Sequence, residues 1–295
     1  MATTGKTPRR TPVRRILVGI RDVFDPPQRA LAKARSLALG TGATLELFHA
    51  VAGFRDGLHA RPLMEQIAAS RREVLDGLAQ DLRGTGIRVE TFACWDYPAH
   101  EAILRRAATI RCDLIIVQSF RTEGGKGWFV AHTDWELMRL CPTPLLIAKS
   151  QSALEQPQVL VALDPMHRRD KPASLDRRLL ASASLLARAL RGTLHAAHVI
   201  EPVAGGAQPD ETTVVARFRR SAATGRVPPA QRHVLHGTPA TALAEYVRDH
   251  SIDLLVLGAV SRSALKSLFL GHTAQDLIDQ VGCDLLIVSG RQSRL

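Results

Sequence analysis

In the second half of the chain, Gly258, Ser261, Gly271, His272 and Thr273 are spaced so that a strand end, a loop and a helix start could close around one anion. The apolar run Ile252–Leu257 ends on Gly258 and is followed by Ala259-Val260-Ser261. Nine residues, Arg262 to Leu270, then lead to Gly271-His272-Thr273 at the opening of a helix. A loop that ends on glycine at a helix start can present backbone N–H groups and the positive end of the helix dipole to phosphate. Arg262 and Lys266 add positive charge to the same loop. Asp164, at the end of another apolar run, is placed to accept hydrogen bonds from a ribose or an adenine edge at the carboxyl edge of a parallel sheet, where such folds collect ligands. Each residue also has a structural use: Asp164 could cap the turn at Pro165, and both glycines could relieve backbone bends.

Other reactive side chains do not assemble. His195 and His198 lie three apart on a predicted strand and so point to opposite faces, as do His233 and His236. Shared metal ligation is not expected. His49 and Asp22 could meet at a sheet edge, but no Ser or Cys nucleophile accompanies them. No G-x-S-x-G, G-x4-G-K-[ST] or H-E-x-x-H pattern occurs. Catalysis is therefore not expected. Cys94, Cys112, Cys141 and Cys283 form no C-x-x-C pair, and Cys112 and Cys283, each before an Asp and an apolar strand, read as small buried residues of a reducing, cytoplasmic compartment. Trp135 reads as a core residue, whereas Trp128-Phe129, after a glycine-rich stretch, is an alternative contact site.

The elements that must position these residues occur twice. Ile16–Ile20 resembles Val159–Leu163, Cys112–Val117 resembles Ile252–Leu257, and Pro144–Ala148 resembles Asp284–Val288. Asp113 to Leu145 spans 32 residues, as does Asp253 to Leu285, and His132-Thr133 precedes His272-Thr273 by 140. This is an internal duplication. Strands are predicted near 14–20, 43–50, 87–92, 113–118 and 144–149, then near 158–164, 193–200, 231–236, 253–258 and 284–289. Helices are predicted near 27–40, 62–83, 98–110 and 132–140, then near 173–191, 239–250 and 273–281. Leu175, Leu179, Leu186 and Leu190 form an apolar stripe at helical spacing. Pro98 and Pro239 suit first helical turns, with Thr238 as an N-cap. Near-continuous apolar strands separated by helices imply an α/β fold with a parallel sheet covered on both faces. Residues 1–13 read as a disordered basic tail, 14–150 and 158–290 as two domains, 151–157 as a linker and 291–295 as a second tail. The Pro- and Gly-rich stretch 201–230 reads as a mobile insert or an edge cover, helical only within 211–223.

The length, 295 residues, fits about two domains. Apolar residues make up 45%, enough for a core, and their longest runs are strand-sized, which excludes a helical membrane protein. No apolar run of signal-peptide length precedes Ile16, so secretion is not expected. Lys and Arg total 39 against 28 Asp and Glu, and only six of the 39 are Lys. Such a surface attracts anions. Most of the charge is expected on scattered solvated helix faces. With aromatics at 4% and no aromatic-interleaved basic motif, nucleic acid is a disfavoured partner.

The strand-terminal Gly258, the nine-residue spacing, Gly271-His272-Thr273 and the closing Cys283-Asp284-Leu285-Leu286-Ile287-Val288 resemble the universal stress proteins. Thr133-Asp134-Trp135, Leu140-Cys141-Pro142-Thr143-Pro144 and Phe269-Leu270-Gly271-His272-Thr273-Ala274 extend the resemblance over both halves in order. It implies two tandem flavodoxin- or Rossmann-like domains, each with a five-stranded parallel sheet. It further implies a stress-response role through a small ligand or a protein partner, and pairing of the last strands into an intrachain pseudo-dimer, with further homodimerisation left open. The family's Gly-x2-Gly-x9-Gly-Ser/Thr pattern holds ATP, with magnesium, and by resemblance Asp164, Val199, Leu257, Gly258, Ser261, Gly271, His272 and Thr273 would form that site. Ser261 and His272 depart from the pattern. The first half departs further, with Arg21 in the place of Asp164 and Gln118, Arg121 and Ala131 in the places of the glycines; it is expected to serve as a structural partner. The alternatives are an ATP sensor built on the second half and a basic module for nucleic acid or acidic partners.

Overall fold

The computed structural model describes residues 13–25, 28–51, 61–119, 132–166, 173–202, 210–261, 268–269 and 277–290. The first half comprises β1 (Arg15–Gly19), α1 (Arg29–Thr41), β2 (Thr44–Val51), α2 (Arg61–Gly84), β3 (Val89–Trp95), α3 (Ala99–Ile110), β4 (Leu114–Gln118), α4 (His132–Leu140) and β5 (Leu145–Ala148). The second comprises β6 (Gln158–Ala162), α5 (Ala173–Ala189), β7 (Thr193–Ile200), α6 (Glu211–Thr224), β8 (Arg232–His236), α7 (Pro239–Asp249), β9 (Leu254–Ser261), β10 (Leu268–Phe269) and β11 (Asp284–Ser289). Residues 277–280 are helical. Among the described residues, no helix is long and apolar enough to cross a membrane.

The strands run in the order β3-β2-β1-β4-β5-β11-β9-β6-β7-β8, with β10 attached to β9. Within each half this path is parallel. At the centre β5 pairs antiparallel with β11, Leu285 opposite Ile147 and Ile287 opposite Leu145. The expected pairing of the last strands thus fuses two five-stranded sheets into one, and neither last strand is left as an open edge. Two apolar layers line its faces. One holds Leu37 of α1, Leu75 of α2, Leu179 of α5 and Phe218 of α6. The other holds Ile103 of α3, Leu137 of α4, Leu243 of α7 and Leu277.

The duplicated aspartates act alike. Asp113 Oδ2 accepts the N–H groups of Arg14 and Arg15 at 2.7 and 3.1 Å, and Asp253 Oδ2 accepts that of Gln158 at 2.7 Å. Each carboxylate ties the start of its half's first strand to the start of the fourth. Gly40, inside α1 where glycine costs helix stability, is explained by α5: a Cβ there would lie 2.4 Å from the Ala189 carbonyl oxygen.

Within the stretch 201–230, the described α6 covers the sheet. The Asp210 carboxylate caps α6 by accepting from Thr212 and Thr213 N–H. Val214, Phe218 and Ala222 then pack inward. Thr238 occupies the N-cap position of α7, but its hydroxyl donates to Thr241 Oγ1 at 2.9 Å rather than capping the backbone.

Between the halves lies a fully buried ion pair. Lys33 Nζ of α1 is 2.7 Å from Asp284 Oδ2 of β11, and both side chains have 0% exposure. Lys33 also donates to Ser150 Oγ at 2.7 Å and to the Ser152 carbonyl. Asp284 Oδ1 accepts Lys149 N–H at 2.8 Å and Ser150 N–H at 2.9 Å. Lys149 Nζ donates back to the carbonyls of Ile278, at 2.5 Å, and Val281, and burial pulls its ammonium pKa down to about 8. Removing one partner of such a pair strands the other charge. Asp284→Asn is expected to lower unfolding free energy by about 3–5 kcal/mol, measured by urea denaturation. Lys33→Met with Asp284→Leu should recover much of that loss.

Candidate ligand-binding crevice

In each half the direction of chain crossover reverses between the first and fourth strands: β1 and β4, then β6 and β9. Ligands of open parallel sheets bind outside the carboxyl ends at such points. In the second half the end of β6 is fixed by two bonds. Leu163 N–H donates to the Ala197 carbonyl at 2.9 Å, and His198 Nδ1–H donates to the Leu163 carbonyl at 2.9 Å. Asp164 follows directly. It is half-buried, and its N–H reaches Asp176 Oδ1, in the first turn of α5, at 3.4 Å. Val199, near the end of β7, pairs with Leu235 and is half-buried. Leu257 is buried in the layer under α7.

Gly258 does not end its strand. β9 continues to Ser261, pairing Gly258 with Val288 and Ala259 with Ser289. It then forms a hairpin with β10, Val260 opposite Phe269 and Ser261 opposite Leu268. The β-branched Val260 suits a strand, and a paired partner was available downstream in Leu268-Phe269. The backbone of 258–261 is therefore used in sheet ladders, so the free loop expected at these positions is not there. A Cβ on Gly258 would lie 2.8 Å from Leu175 Cδ2, so the glycine lets the first turn of α5 settle on β9. Gly271, His272 and Thr273, with Arg262 and Lys266, lie outside the described residues, as do Trp128 and Phe129. Trp135 packs against the core as expected.

The first-half crevice is built differently. Arg21 is exposed where the second half has Asp164. Gln118 and Ser119, at the end of β4, are buried, and Gln118 Oε1 and Ser119 Oγ have no hydrogen-bond partner among the described residues. Arg29 Nη1 donates to the Ser119 carbonyl at 3.1 Å.

Sequence reasoning passed over a matched pair of histidines. His49 Nδ1–H donates to the Ile20 carbonyl at 2.8 Å, as His198 does to Leu163. Each is the sixth residue of its strand, in Thr44–Val51 and Thr193–Ile200, and aligning those strands would have shown it. His195 and His198 do face opposite sides. His195 Nε2 meets Gln158 Oε1 at 2.9 Å and its Nδ1 meets His233 Nε2 at 3.2 Å, whereas His198 stacks on Phe218. Since Gln158 Oε1 can only accept, His195 carries its proton on Nε2 and His233 Nε2–H donates to His195 Nδ1. Tyr246 and His250 stack beside them. No group of three or more metal-binding side chains occurs among the described residues. The four cysteines are free, and burial pushes the Cys112, Cys141 and Cys283 thiols up to about 12. These thiols are poor nucleophiles at neutral pH.

The sequence model of the universal stress protein family matches residues 12–149 and 157–289, nearly the whole chain, in two copies. The chain belongs to the universal stress protein family. Universal stress protein E of Escherichia coli (strain K12) is 24% identical over 294 residues, covering 92% of this chain and 93% of that protein. A putative universal stress protein from Pseudomonas aeruginosa UCBPP-PA14 has a solved structure with a TM-score of 0.74 and 25% identity, covering 95% of this chain and 94% of that one. A universal stress protein from Archaeoglobus fulgidus DSM 4304 shares the fold, with a TM-score of 0.74 at 17% identity, covering 94% of this chain and 98% of that one. The chain is thus a tandem universal stress protein similar to the E-type relatives.

Two outcomes follow for this universal stress protein. Gly258→Ala is expected to cost about 1–3 kcal/mol by overpacking, measured by urea unfolding, and less than the sum of the single costs when combined with Leu175→Val. Burial holds the His49, His195 and His233 imidazoles below their usual pKa. Their neutral forms favour the fold, so this stability is complete above about pH 6.5 and declines as pH falls through the lowered folded values. The urea midpoint should fall from pH 7.5 to pH 5 on the basis of those shifts, and His195→Gln with His233→Gln should flatten the fall.

Proposed function

We propose that this universal stress protein acts in the cytoplasmic stress response as a non-enzymatic binding protein, taking a small ligand at the carboxyl edge of its second half. The observation that carries the reading is the place of Asp164. It is a half-buried carboxylate at the end of β6, beside the point where the crossovers of β6 and β9 reverse. An acceptor there suits the hydroxyls of a ribose. ATP with magnesium is the ligand that the Gly258-x2-Ser261-x9-Gly271-His272 pattern favours, with Asp164 on the ribose, Val199 and Leu257 beside the adenine, and Gly271, His272 and Thr273 at the phosphates. Ladder pairing of 258–261 leaves the segment after Ser261 as the source of phosphate donors.

The first half serves as the structural partner of the pseudo-dimer. Its orphaned Gln118 Oε1 and Ser119 Oγ favour a second reading, in which a small ligand with N–H or O–H donors enters that crevice, since buried polar atoms are seldom left unpaired.

Calorimetric titration with ATP and magnesium, after denaturing extraction to detect co-purified nucleotide, tests the main reading. One site per chain is expected, abolished by Asp164→Ala and strengthened by Ser261→Gly with His272→Ser. No heat and no extracted nucleotide would leave the second-half nucleotide site without support.

A further inference from the structure

Paired and unpaired arginines occur in both halves. Among the described residues Arg35, Arg72, Arg88 and Arg111 of the first half have no carboxylate within ion-pair distance, and Arg248 of the second lies 2.9 Å from Asp249. The second half, however, gathers its unpaired arginines on one face. In the first half Arg83 lies 3.4 Å from Asp76, Arg105 lies 2.7 Å from Asp96, Arg106 lies 2.5 Å from Glu46, and Arg139 lies 3.0 Å from Glu136. In the second half, α6 and its surroundings carry Arg188, Arg217, Arg219, Arg220, Arg226 and Arg232. None of these six lies within ion-pair distance of a carboxylate among the described residues. All are exposed except Arg232, which is half-buried.

The fold gathers them. Ser184 Oγ of α5 donates to the Gly225 carbonyl at 2.9 Å, which sets Arg188, one turn further along α5, beside the end of α6 that carries Arg226. Arg232 Nε and Nη2 donate to the Val227 carbonyl at 2.8 and 2.6 Å. Its Nη1 reaches the Arg219 carbonyl at 3.4 Å. The nearby acids are occupied: Asp210 caps α6, and Glu211 faces His236 at 3.6 Å. The last turn of α6 has no basic residue, so favourable interaction with the helix dipole does not account for the cluster. Like charges gathered without counter-charges repel, and a bound polyanion relieves them.

We propose that the α5–α6 face of the second half docks the phosphate backbone of double-stranded nucleic acid, without reading sequence. Among the described residues the large exposed apolar side chains are Phe24, Leu39, Leu63 and Tyr97, all in the first half. The face therefore lacks both the apolar centre of a protein interface and the apolar anchor of an interfacial membrane helix. It also lacks an exposed aromatic side chain on which single-stranded bases would stack. Guanidinium groups on rigid helices suit phosphate alone.

The test is fluorescence anisotropy of a labelled DNA duplex of arbitrary sequence with the full-length protein. Affinity should fall steeply between about 50 and 200 mM salt. Arg217→Glu with Arg219→Glu and Arg220→Glu should weaken binding roughly tenfold or more and reduce the salt slope by about three. The same positions changed to Gln should give a smaller loss, with circular dichroism unchanged in both variants. Arg248→Glu, on the opposite face of the sheet, and Arg9→Glu with Arg10→Glu, in the N-terminal tail, should retain binding. Absence of duplex binding at low salt overturns the proposal. So does loss in the tail variant with the α6 variants unchanged, or binding confined to phosphatidylserine vesicles or single strands.

Discussion

Asp284 and Lys33 are both removed from water, and neither would be stable there alone. Burying two charges costs several kcal/mol per ion, and their attraction offsets it only when the remaining lone pairs and protons are also satisfied. Here they are. The Asp284 carboxylate receives the Lys149 and Ser150 amides and the Lys33 ammonium. Lys33 in turn finds Ser150 Oγ and the Ser152 carbonyl. Every one of those partners belongs to the first half or to the segment just after it, whereas Asp284 opens the last strand of the second. The carboxylate is satisfied only when β5 and β11 are side by side.

That seam fixes the remaining geometry. Because β5 and β11 are antiparallel while each half is internally parallel, the carboxyl edges of the two halves point in opposite directions. Their crevices therefore lie at opposite edges of one sheet. The halves are related by a rotation about the sheet normal, so equivalent helices share a face: α1 and α2 with α5 and α6, and α3 and α4 with α7. The same relation brings Gly40 of α1 against Ala189 of α5. It also puts Arg217, Arg219 and Arg220 on the face of the longer helices.

Most of the fold was legible because its determinants are local and repeated. Apolar runs such as Leu114–Val117 and Leu254–Leu257 can be little else than buried strands, and the 32-residue spacing from each aspartate to its last strand ties the copies together. Elements whose limits depend on partners were less legible. β9 runs on to Ser261 because β10 meets it, and α6 is held by Phe218 reaching the core. Neither cause shows in the strand or helix itself. The site was legible only as chemistry. Asp164 stands at the expected edge, but Gly258 is explained by Leu175 above it, a contact between residues 83 positions apart in the chain. Lys33 and Asp284 lie further apart still, and no periodicity marks a lysine in an amphipathic helix as buried.

The two copies have diverged in what they leave unsatisfied. In the first, Arg83, Arg105, Arg106 and Arg139 are matched to carboxylates, Arg106 to the almost fully buried Glu46, and the crevice carries Arg21 with oxygens of Gln118 and Ser119 that have no partner among the described residues. In the second, the crevice carries Asp164, and the arginines around α6 have no carboxylate partner among the described residues. Unmatched like charge on one face costs stability in the isolated chain. A seam that joins the copies through Asp284 rather than through either crevice leaves both carboxyl edges and the outer helices free of that duty. The outer helices and the carboxyl edges of the two copies can then diverge in charge without disturbing that seam.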